Sequence, residues 1–173
     1  LKPDKSKSYD LGFEQELLDN NLSFGVTYFH NKFKNMVDYD LTANKYKNLG
    51  KVITKGYEGN INVKPIPSLS FNMNYTYTKT KDLEAKTELV RRPKNQFGLG
   101  IIWNFLKEAA LDLKGSYVGS NWNDSVNTQK VKSYFKFDLA TSYNINEDFQ
   151  IFGSINNLLD RKYEEVLGYS SLR

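Results

Sequence analysis

The sequence predicts an all-β chain that forms about eight strands of an antiparallel, up-and-down transmembrane β-barrel. The first observation is that apolar and polar residues alternate with a period of two along most of the chain. The second is that aromatic residues make up 14% of the 173 residues although the mean hydropathy is −0.61. A wall with lipid on one face and water on the other combines large rings with a polar average in this way. No run approaches the roughly 18 apolar residues that a membrane-spanning helix needs.

The first two strands are predicted on either side of a turn at Leu18-Asp19-Asn20-Asn21. Their apolar faces carry Tyr9, Leu11, Phe13 and Leu17 in the first strand and Leu22, Phe24, Val26 and Tyr28 in the second. The residues between them are polar or small, as expected for the opposite face. His30, the only histidine, continues the apolar face outward, and we predict that it belongs to an aromatic girdle.

The third and fourth strands are predicted on either side of Pro65-Ile66-Pro67-Ser68, where neither proline can donate to a strand ladder. The apolar faces carry Tyr57, Ile61 and Val63 in the third strand and Leu69, Phe71, Met73, Tyr75 and Tyr77 in the fourth. The fourth strand shows the cleanest alternation in the sequence.

Four more strands are predicted in the second half of the chain. Their apolar faces carry Phe97, Leu99, Ile101 and Trp103 in the fifth, Leu111, Leu113 and Tyr117 in the sixth, Phe135, Phe137, Leu139 and Tyr143 in the seventh, and Phe149, Ile151 and Ile155 in the eighth. Charged residues fall on the other face, where water tolerates them. They are Glu14, Glu58, Lys114, Lys136 and Asp138, which we predict to face the barrel lumen.

The connections between the strands are of two kinds. Tight breaks lie near residues 19, 66, 106 and 147, and long polar links cover roughly residues 39–51, 80–95 and 119–131. In outer-membrane barrels short turns face the periplasm and long loops face the outside. The first strand would then begin outside and the eighth would end outside, so we expect a piece of a larger wall rather than a closed eight-stranded barrel.

Several local motifs resemble those of TonB-dependent outer-membrane receptors. They are Leu1-Lys2-Pro3 with Ser8-Tyr9-Asp10-Leu11-Gly12-Phe13-Glu14, Asn48 with Gly56-Tyr57-Glu58, Arg91-Arg92-Pro93-Lys94, and Asn156-Asn157-Leu158-Leu159-Asp160-Arg161-Lys162-Tyr163 with Gly168-Tyr169. Their order and spacing agree with the family across nearly the whole chain. The overall look is nearest to cobalamin-type receptors, and ferric-siderophore receptors share most of the motifs.

The resemblance implies a barrel of about 22 strands, with residues 1–173 as its C-terminal part and with the plug domain and the final strand absent. It implies active import of a scarce metal complex, either a cobalamin or an iron chelate, across the bacterial outer membrane. The partners it implies are the receptor's own plug, the TonB complex, and outer-membrane lipid with lipopolysaccharide. No covalently bound cofactor is implied.

Candidate ligand contacts must lie on the long links. Aromatic and amide side chains there offer flat faces with a polar edge, and arginines can pair with carboxylate or phosphate groups. The candidates are Tyr39, Tyr46, Arg91, Arg92, Trp122, Asn123 and Tyr169. The alternative for the aromatic residues is the interfacial girdle, and for the arginines it is neutralisation of lipid phosphates. Glu58 is predicted to face the plug.

Other functional classes are disfavoured by composition. The chain has no cysteine and one histidine, so the sequence offers no thiol nucleophile and no His-pair metal site, and we expect neither catalytic nor metal-binding residues. The net charge of +4 comes from scattered residues rather than from a basic stripe, which disfavours nucleic-acid binding. Two alternatives stay open: a passive porin or structural barrel, and a soluble β protein of the lipocalin type.

Overall fold

A computed structural model describes residues 1–40 and 43–171 of the chain. The described residues form twelve strands. The strands are β1 Lys5–Leu17, β2 Leu22–Asp40, β3 Lys45–Ile66, β4 Leu69–Asp82, β5 Asn95–Trp103, β6 Ala109–Val118, β7 Asn121–Trp122, β8 Lys130–Val131, β9 Tyr134–Asn144, β10 Gln150–Ile155, β11 Glu164–Val166 and β12 Tyr169–Ser170. Within these residues no helix is long and apolar enough to cross a membrane.

Eight of the strands make one antiparallel sheet in the order β1-β2-β3-β4-β5-β6-β9-β10. Each strand pairs with the next long strand along the chain, so the sheet is an up-and-down meander. The sheet does not close on itself: β1 and β10 are its two edges. The predicted eight strands and the fold class are therefore confirmed.

The strand register gives the sheet two chemically different faces. Residues directly opposite each other in a ladder point to the same side, and neighbours along a strand point to opposite sides. One row on the first face reads Phe13, Val26, Gly59, Tyr75, Phe97, Tyr117 and Phe135. The next row, on the second face, reads Glu14, Gly25, Asn60, Asn74, Gly98, Ser116 and Lys136. We call these the apolar face and the polar face, and they are the faces that the alternation predicts.

The large side chains of the apolar face are not gathered into an interior. Leu11 is 78% exposed and Phe13 is 56% exposed, although both lie in a regular paired strand. Few apolar residues of the described chain are buried: Val52, Leu89, Ala109, Val131 and Tyr134. A water-soluble body with an open apolar face of this size would aggregate, whereas a barrel wall turns such a face to lipid.

Short turns close one end of the sheet, as predicted. The β1–β2 turn places Leu18, Asp19 and Asn20 at positive φ, a conformation that Asp and Asn adopt more readily than most residues. In the β9–β10 turn the side chain of Asn146 accepts hydrogen bonds from the backbone N–H groups of Asp148 and Phe149, at 3.0 and 2.9 Å. Such side-chain bonds replace the ladder where the chain reverses.

The prediction of a long link over residues 39–51 is wrong. Strands β2 and β3 continue through most of it, with Tyr39 opposite Tyr46 and Asp40 opposite Lys45. Beyond the membrane both faces of a strand meet water, so the apolar alternation that marks a strand disappears. The 119–131 link is also more ordered than predicted, because β7 and β8 form a small hairpin within it.

Candidate ligand-binding site

The polar face carries all five charged residues that were predicted to face the lumen. Glu14 lies opposite Gly25, Glu58 lies between Thr27 and Thr76, and Lys114 lies opposite Asp138. Lys136 and Asp138 form an ion pair at 3.1 Å. Glu58 is exposed on this face.

A cavity of about 480 Å³ lies at the long-loop end of the sheet. Three segments surround it: the end of the β2–β3 hairpin, the loop after β4, and the β7–β8 hairpin. The residues that line it are Asp38, Tyr39, Asp40, Lys47, Leu49, Asp82, Ala85, Thr87, Glu88, Leu89, Val90, Asn123, Asp124, Ser125, Val126, Thr128 and Gln129. Two of the predicted ligand contacts, Tyr39 and Asn123, are among them.

Glu88 joins two walls of this cavity. One carboxylate oxygen pairs with Lys94 Nζ at 2.6 Å, and the other accepts the indole N–H of Trp122 at 3.0 Å. Burial raises the pKa of Glu88, but the hydrogen bonds from Lys94 and Trp122 and the positive charges of Lys94 and Lys79 outweigh it and hold the pKa below its ordinary value. Glu88 is therefore charged at neutral pH and ties the loop after β4 to the β7–β8 hairpin.

The β7–β8 hairpin is shaped by Asp124. Its carboxylate accepts the backbone N–H groups of Thr128 and Gln129, at 3.0 and 2.6 Å, and the Thr128 hydroxyl at 2.9 Å. Partial burial raises the pKa of Asp124, and these hydrogen bonds lower it further than burial raises it. Asn127 extends the connection, because its side-chain oxygen accepts the backbone N–H of Glu88 at 2.7 Å.

Two tyrosines lie opposite each other near the end of the β2–β3 hairpin. The rings of Tyr39 and Tyr46 meet edge to face with centroids 5.1 Å apart. The Tyr39 hydroxyl donates a hydrogen bond to the side-chain oxygen of Asn44. Tyr39 lines the cavity, whereas Tyr46 is 64% exposed and is not among the lining residues.

The remaining predicted contacts divide between structural and exposed positions. The indole N–H of Trp122 donates a hydrogen bond to Glu88, and Lys130 Nζ lies 5.2 Å from the centre of the Trp122 ring. Arg91 is anchored through its backbone, which donates to the Trp122 carbonyl at 2.8 Å, while the side chains of Arg91 and Arg92 are exposed. Tyr169 is 75% exposed on the β11–β12 hairpin. Tyr39 and Asn123 therefore line the cavity, and Trp122 contacts its wall through Glu88. Tyr169 lies apart from the cavity.

A second hollow, of about 420 Å³, was missed by sequence reasoning. Its lining includes four cations, Lys130, Lys132, Arg161 and Lys162, together with Ser133, Tyr163, Glu164, Leu167 and Ser170. Tyr163 stacks on Tyr134 with ring centroids 4.1 Å apart, and Tyr134 lies on the polar face opposite Val118. We call this the basic hollow. The sequence signal was the pair of short basic runs, which are 29 residues apart and gave no local hint that they meet.

Asp138 anchors the segment that carries the second of these runs. Its carboxylate accepts the backbone N–H of Asn157 at 2.7 Å, and the backbone N–H of Leu158 donates to the Phe137 carbonyl at 2.7 Å. Residues 157 and 158 therefore continue the path of β10 alongside β9. The described residues contain no group of three or more His, Cys, Asp or Glu placed to hold a metal ion.

Replacing Asp138 with Ala is expected to release this segment, because it removes the hydrogen bond that the Asn157 N–H donates to a charged carboxylate. The expected loss is about 1.5 kcal/mol in the local opening free energy, and Asp138→Asn should lose less because an acceptor oxygen remains. Hydrogen exchange of peptides covering residues 156–163 in the folded protein measures the effect. Equal exchange in wild type and Asp138→Ala would show that the anchor lies elsewhere.

Known proteins share this architecture. A family model described as "TonB dependent receptor-like, beta-barrel" matches residues 1–158. The ferric-catecholate import receptor Fiu of E. coli K12, in its closed form, is 22% identical, with a TM-score of 0.75, over 95% of this chain and 25% of Fiu.

Two receptors of Pseudomonas aeruginosa are similar to the same degree. The outer-membrane ferripyoverdine receptor, bound to ferripyoverdine, is 22% identical with a TM-score of 0.76, over 99% of this chain and 26% of the receptor. A variant of the ferric enterobactin receptor PfeA is 21% identical with a TM-score of 0.77, over 94% and 26%. At this identity the solved structures establish the fold, and the chain spans about a quarter of each receptor. The family model matches most of the chain, and the chain therefore belongs to the TonB-dependent receptor family as part of its β-barrel.

Proposed function

We propose that this chain forms part of the wall and the outer rim of a TonB-dependent importer that takes up a ferric chelate. The observation that carries the proposal is a barrel sheet of this family whose long-loop end holds a cavity and a basic hollow on the same rim. The family's barrels lie in the outer membrane of Gram-negative bacteria, which is the location expected from the sequence. They serve transport rather than catalysis. We assign residues 1–173 to the C-terminal part of the barrel.

An iron chelate is favoured over cobalamin as the cargo. The solved receptors described above are named for ferric catecholates, ferripyoverdine and ferric enterobactin. Ferric complexes of catecholates carry excess negative charge on their oxygen ligands, and the four cations of the basic hollow complement such a surface. Arg91 and Arg92, exposed at the same end of the sheet, can add charge-assisted hydrogen bonds.

Import against a gradient needs an energy source and a gate. In this proposal the gate is the receptor's plug inside the barrel, driven through the TonB complex. Glu58 is assigned to the plug contact, because it is exposed on the polar face in the middle of the wall. The apolar face meets outer-membrane lipid.

The proposal is tested on the intact parent receptor. Equilibrium binding of a ferric triscatecholate, a ferric hydroxamate and a cobalamin identifies the cargo class, and uptake of radioactive iron in cells with and without TonB measures energy coupling. We expect saturable binding of at least one ferric chelate and uptake that disappears without TonB. Uptake that is unsaturable and independent of TonB would instead identify a passive porin.

A pair of charge variants tests the basic hollow. Lys132→Gln with Arg161→Gln is expected to weaken binding of the anionic ferric chelate by roughly tenfold, because two charges facing the ligand are lost. Lys64→Gln with Lys107→Gln removes the same charge at the short-turn end and should leave binding unchanged. Equal weakening in both variants would show that total charge, and not the hollow, controls affinity.

A further inference from the structure

The apolar face changes character abruptly on the loop side of its tyrosine row. Leu11, Tyr28, Tyr57 and Tyr77 form one row across β1–β4. The next row toward the loops reads Tyr9, His30, Lys55 and Lys79, and Tyr9 stacks on His30 with ring centroids 4.8 Å apart. His30 therefore lies in the row next to the tyrosines, and its place in an aromatic girdle stays a prediction. Aromatic rows of this kind mark the boundary between hydrocarbon and headgroups.

Lysines dominate the rows beyond this boundary. One row reads Lys7, Lys32, Ile53 and Lys81, and the next reads Lys5, Lys34 and Lys51. Together with the two lysines beside His30, eight exposed lysines share the outward face. We call them the lysine patch: Lys5, Lys7, Lys32, Lys34, Lys51, Lys55, Lys79 and Lys81. With strands about 4.8 Å apart and alternate residues about 6.8 Å apart, the patch measures about 14 by 14 Å.

The lysine patch has no ion-pair partner within the described chain, although the positive charge of Lys79 acts on Glu88 in the loop after β4. Ion pairs there involve Lys47, Lys94, Lys114 and Lys136, and none of the eight patch lysines. The acid nearest in the register, Asp82, is 7% exposed and pairs with Val52, so its side chain points to the polar face. So many cations on a small surface repel one another unless an outside anion neutralises them.

A groove of about 700 Å³ runs through the patch. Five patch lysines line it, together with Ile53 and Leu83. Leu83 shares the outward face, because its N–H donates to the Lys51 carbonyl at 2.9 Å, one position beyond the Asp82–Val52 pair. Lysine stems and two aliphatic side chains make apolar walls beneath a cationic rim. Such a groove fits a ligand with an apolar body and an anionic head.

We propose that the lysine patch binds the phosphorylated headgroup of lipid A, the membrane anchor of lipopolysaccharide. The patch faces outward, sits immediately beyond the aromatic row and lies on the long-loop side, which is the outer leaflet of the outer membrane. Phosphates of this lipid lie at that depth, and the acyl region continues along Tyr28 and Tyr57. The site is separate from the cavity and the basic hollow at the rim, so it does not depend on the proposed cargo.

The test uses the intact parent receptor purified in a non-ionic detergent. Native mass spectrometry titrates it with bis-phosphorylated lipid A and with the same lipid after removal of both phosphates. We expect the phosphorylated lipid to bind at least tenfold more tightly, and its affinity to fall as salt is raised. Equal binding of the two lipids would overturn the proposal, because acyl chains alone would then explain it.

A matched pair of variants locates the site. Lys32→Gln with Lys34→Gln removes two exposed lysines of the groove and should weaken lipid A binding roughly tenfold. Lys64→Gln with Lys107→Gln removes equal charge at the opposite end and should not. No change in the first variant would overturn the proposal, and so would competition by millimolar inorganic phosphate, which would indicate a site for free phosphate. Binding of ferric chelate should be the same in both variants.

Discussion

Replacing Leu99 with Arg is expected to reduce the stability of the intact receptor in the membrane by about 2–4 kcal/mol, the cost of a lipid-facing arginine near the bilayer midplane. Leu99 lies in the middle of β5, with Met73 opposite it on β4 and Gly115 opposite it on β6. All three belong to the apolar face. A guanidinium at this position must enter hydrocarbon or bend its long side chain toward the boundary.

The matched control is Asn74→Arg. Asn74 is exposed on the polar face of the neighbouring strand and only one row away from Leu99, so depth in the membrane is nearly equal. Gly98, the polar-face residue opposite Asn74, is less suitable as the control position, because a Cβ there would lie 2.7 Å from the side-chain nitrogen of Asn74. Folding yield into lipid vesicles, and urea unfolding of the inserted receptor, measure both variants. Equal losses for Leu99→Arg and Asn74→Arg would mean that the two faces are assigned wrongly.

Phe137→Arg repeats the test on another strand and adds a packing term. Phe137 lies opposite Gly115 and meets Phe135 edge to face with ring centroids 4.6 Å apart. A Cβ on Gly115 would come within 3.1 Å of the Phe137 ring, so the ring covers that glycine. The variant is expected to lose at least as much stability as Leu99→Arg. Ser142→Arg, on the polar face of the same strand, serves as its control.

Sequence reasoning predicted the faces of the sheet because period-two alternation reports directly on the two solvents. It failed where both sides of a strand meet water. Asp38 opposite Lys47 and Asp40 opposite Lys45 continue the β2–β3 ladder with charged pairs, and Lys47 bonds Asp40 at 2.8 Å. The hydropathy of these residues predicts a loop, although charge pairing between the two strands extends the hairpin.

The rim was only partly predictable, because its contacts join residues far apart in the chain. Trp122 was identified by its chemistry, but its indole partner, Glu88, lies 34 residues away. The basic hollow likewise combines Lys130 and Lys132 with Arg161 and Lys162. The spacing of residues along the chain does not predict these contacts, because they depend on the order of the strands in the sheet and on the conformations of the loops that connect them.

Removing the Glu88 carboxylate is expected to free the loop after β4. In Glu88→Ala the ammonium of Lys94 and the indole N–H of Trp122 both lose their acceptor. The expected loss is about 2 kcal/mol in the opening free energy of the loop, toward the lower end for hydrogen bonds to a charged group because the Lys94 side chain is 44% exposed. Hydrogen exchange of residues 83–94 in the intact receptor should speed up by roughly 30-fold.

The same carboxylate gives the loop a pH dependence with a definite sign. Because folding lowers the pKa of Glu88 from its ordinary value of 4.5, its contribution is complete above that value and disappears as the pH falls through the lower, folded-state pKa. Loop exchange in wild type, corrected for the intrinsic pH effect on exchange, should therefore rise below about pH 4.5, and Glu88→Ala should remove that rise. Glu84→Ala, at an exposed acid of the same loop, should keep it. A rise that survives in Glu88→Ala would assign the pH dependence to another carboxylate, and the junction between the two cavity walls would then not depend on this charge.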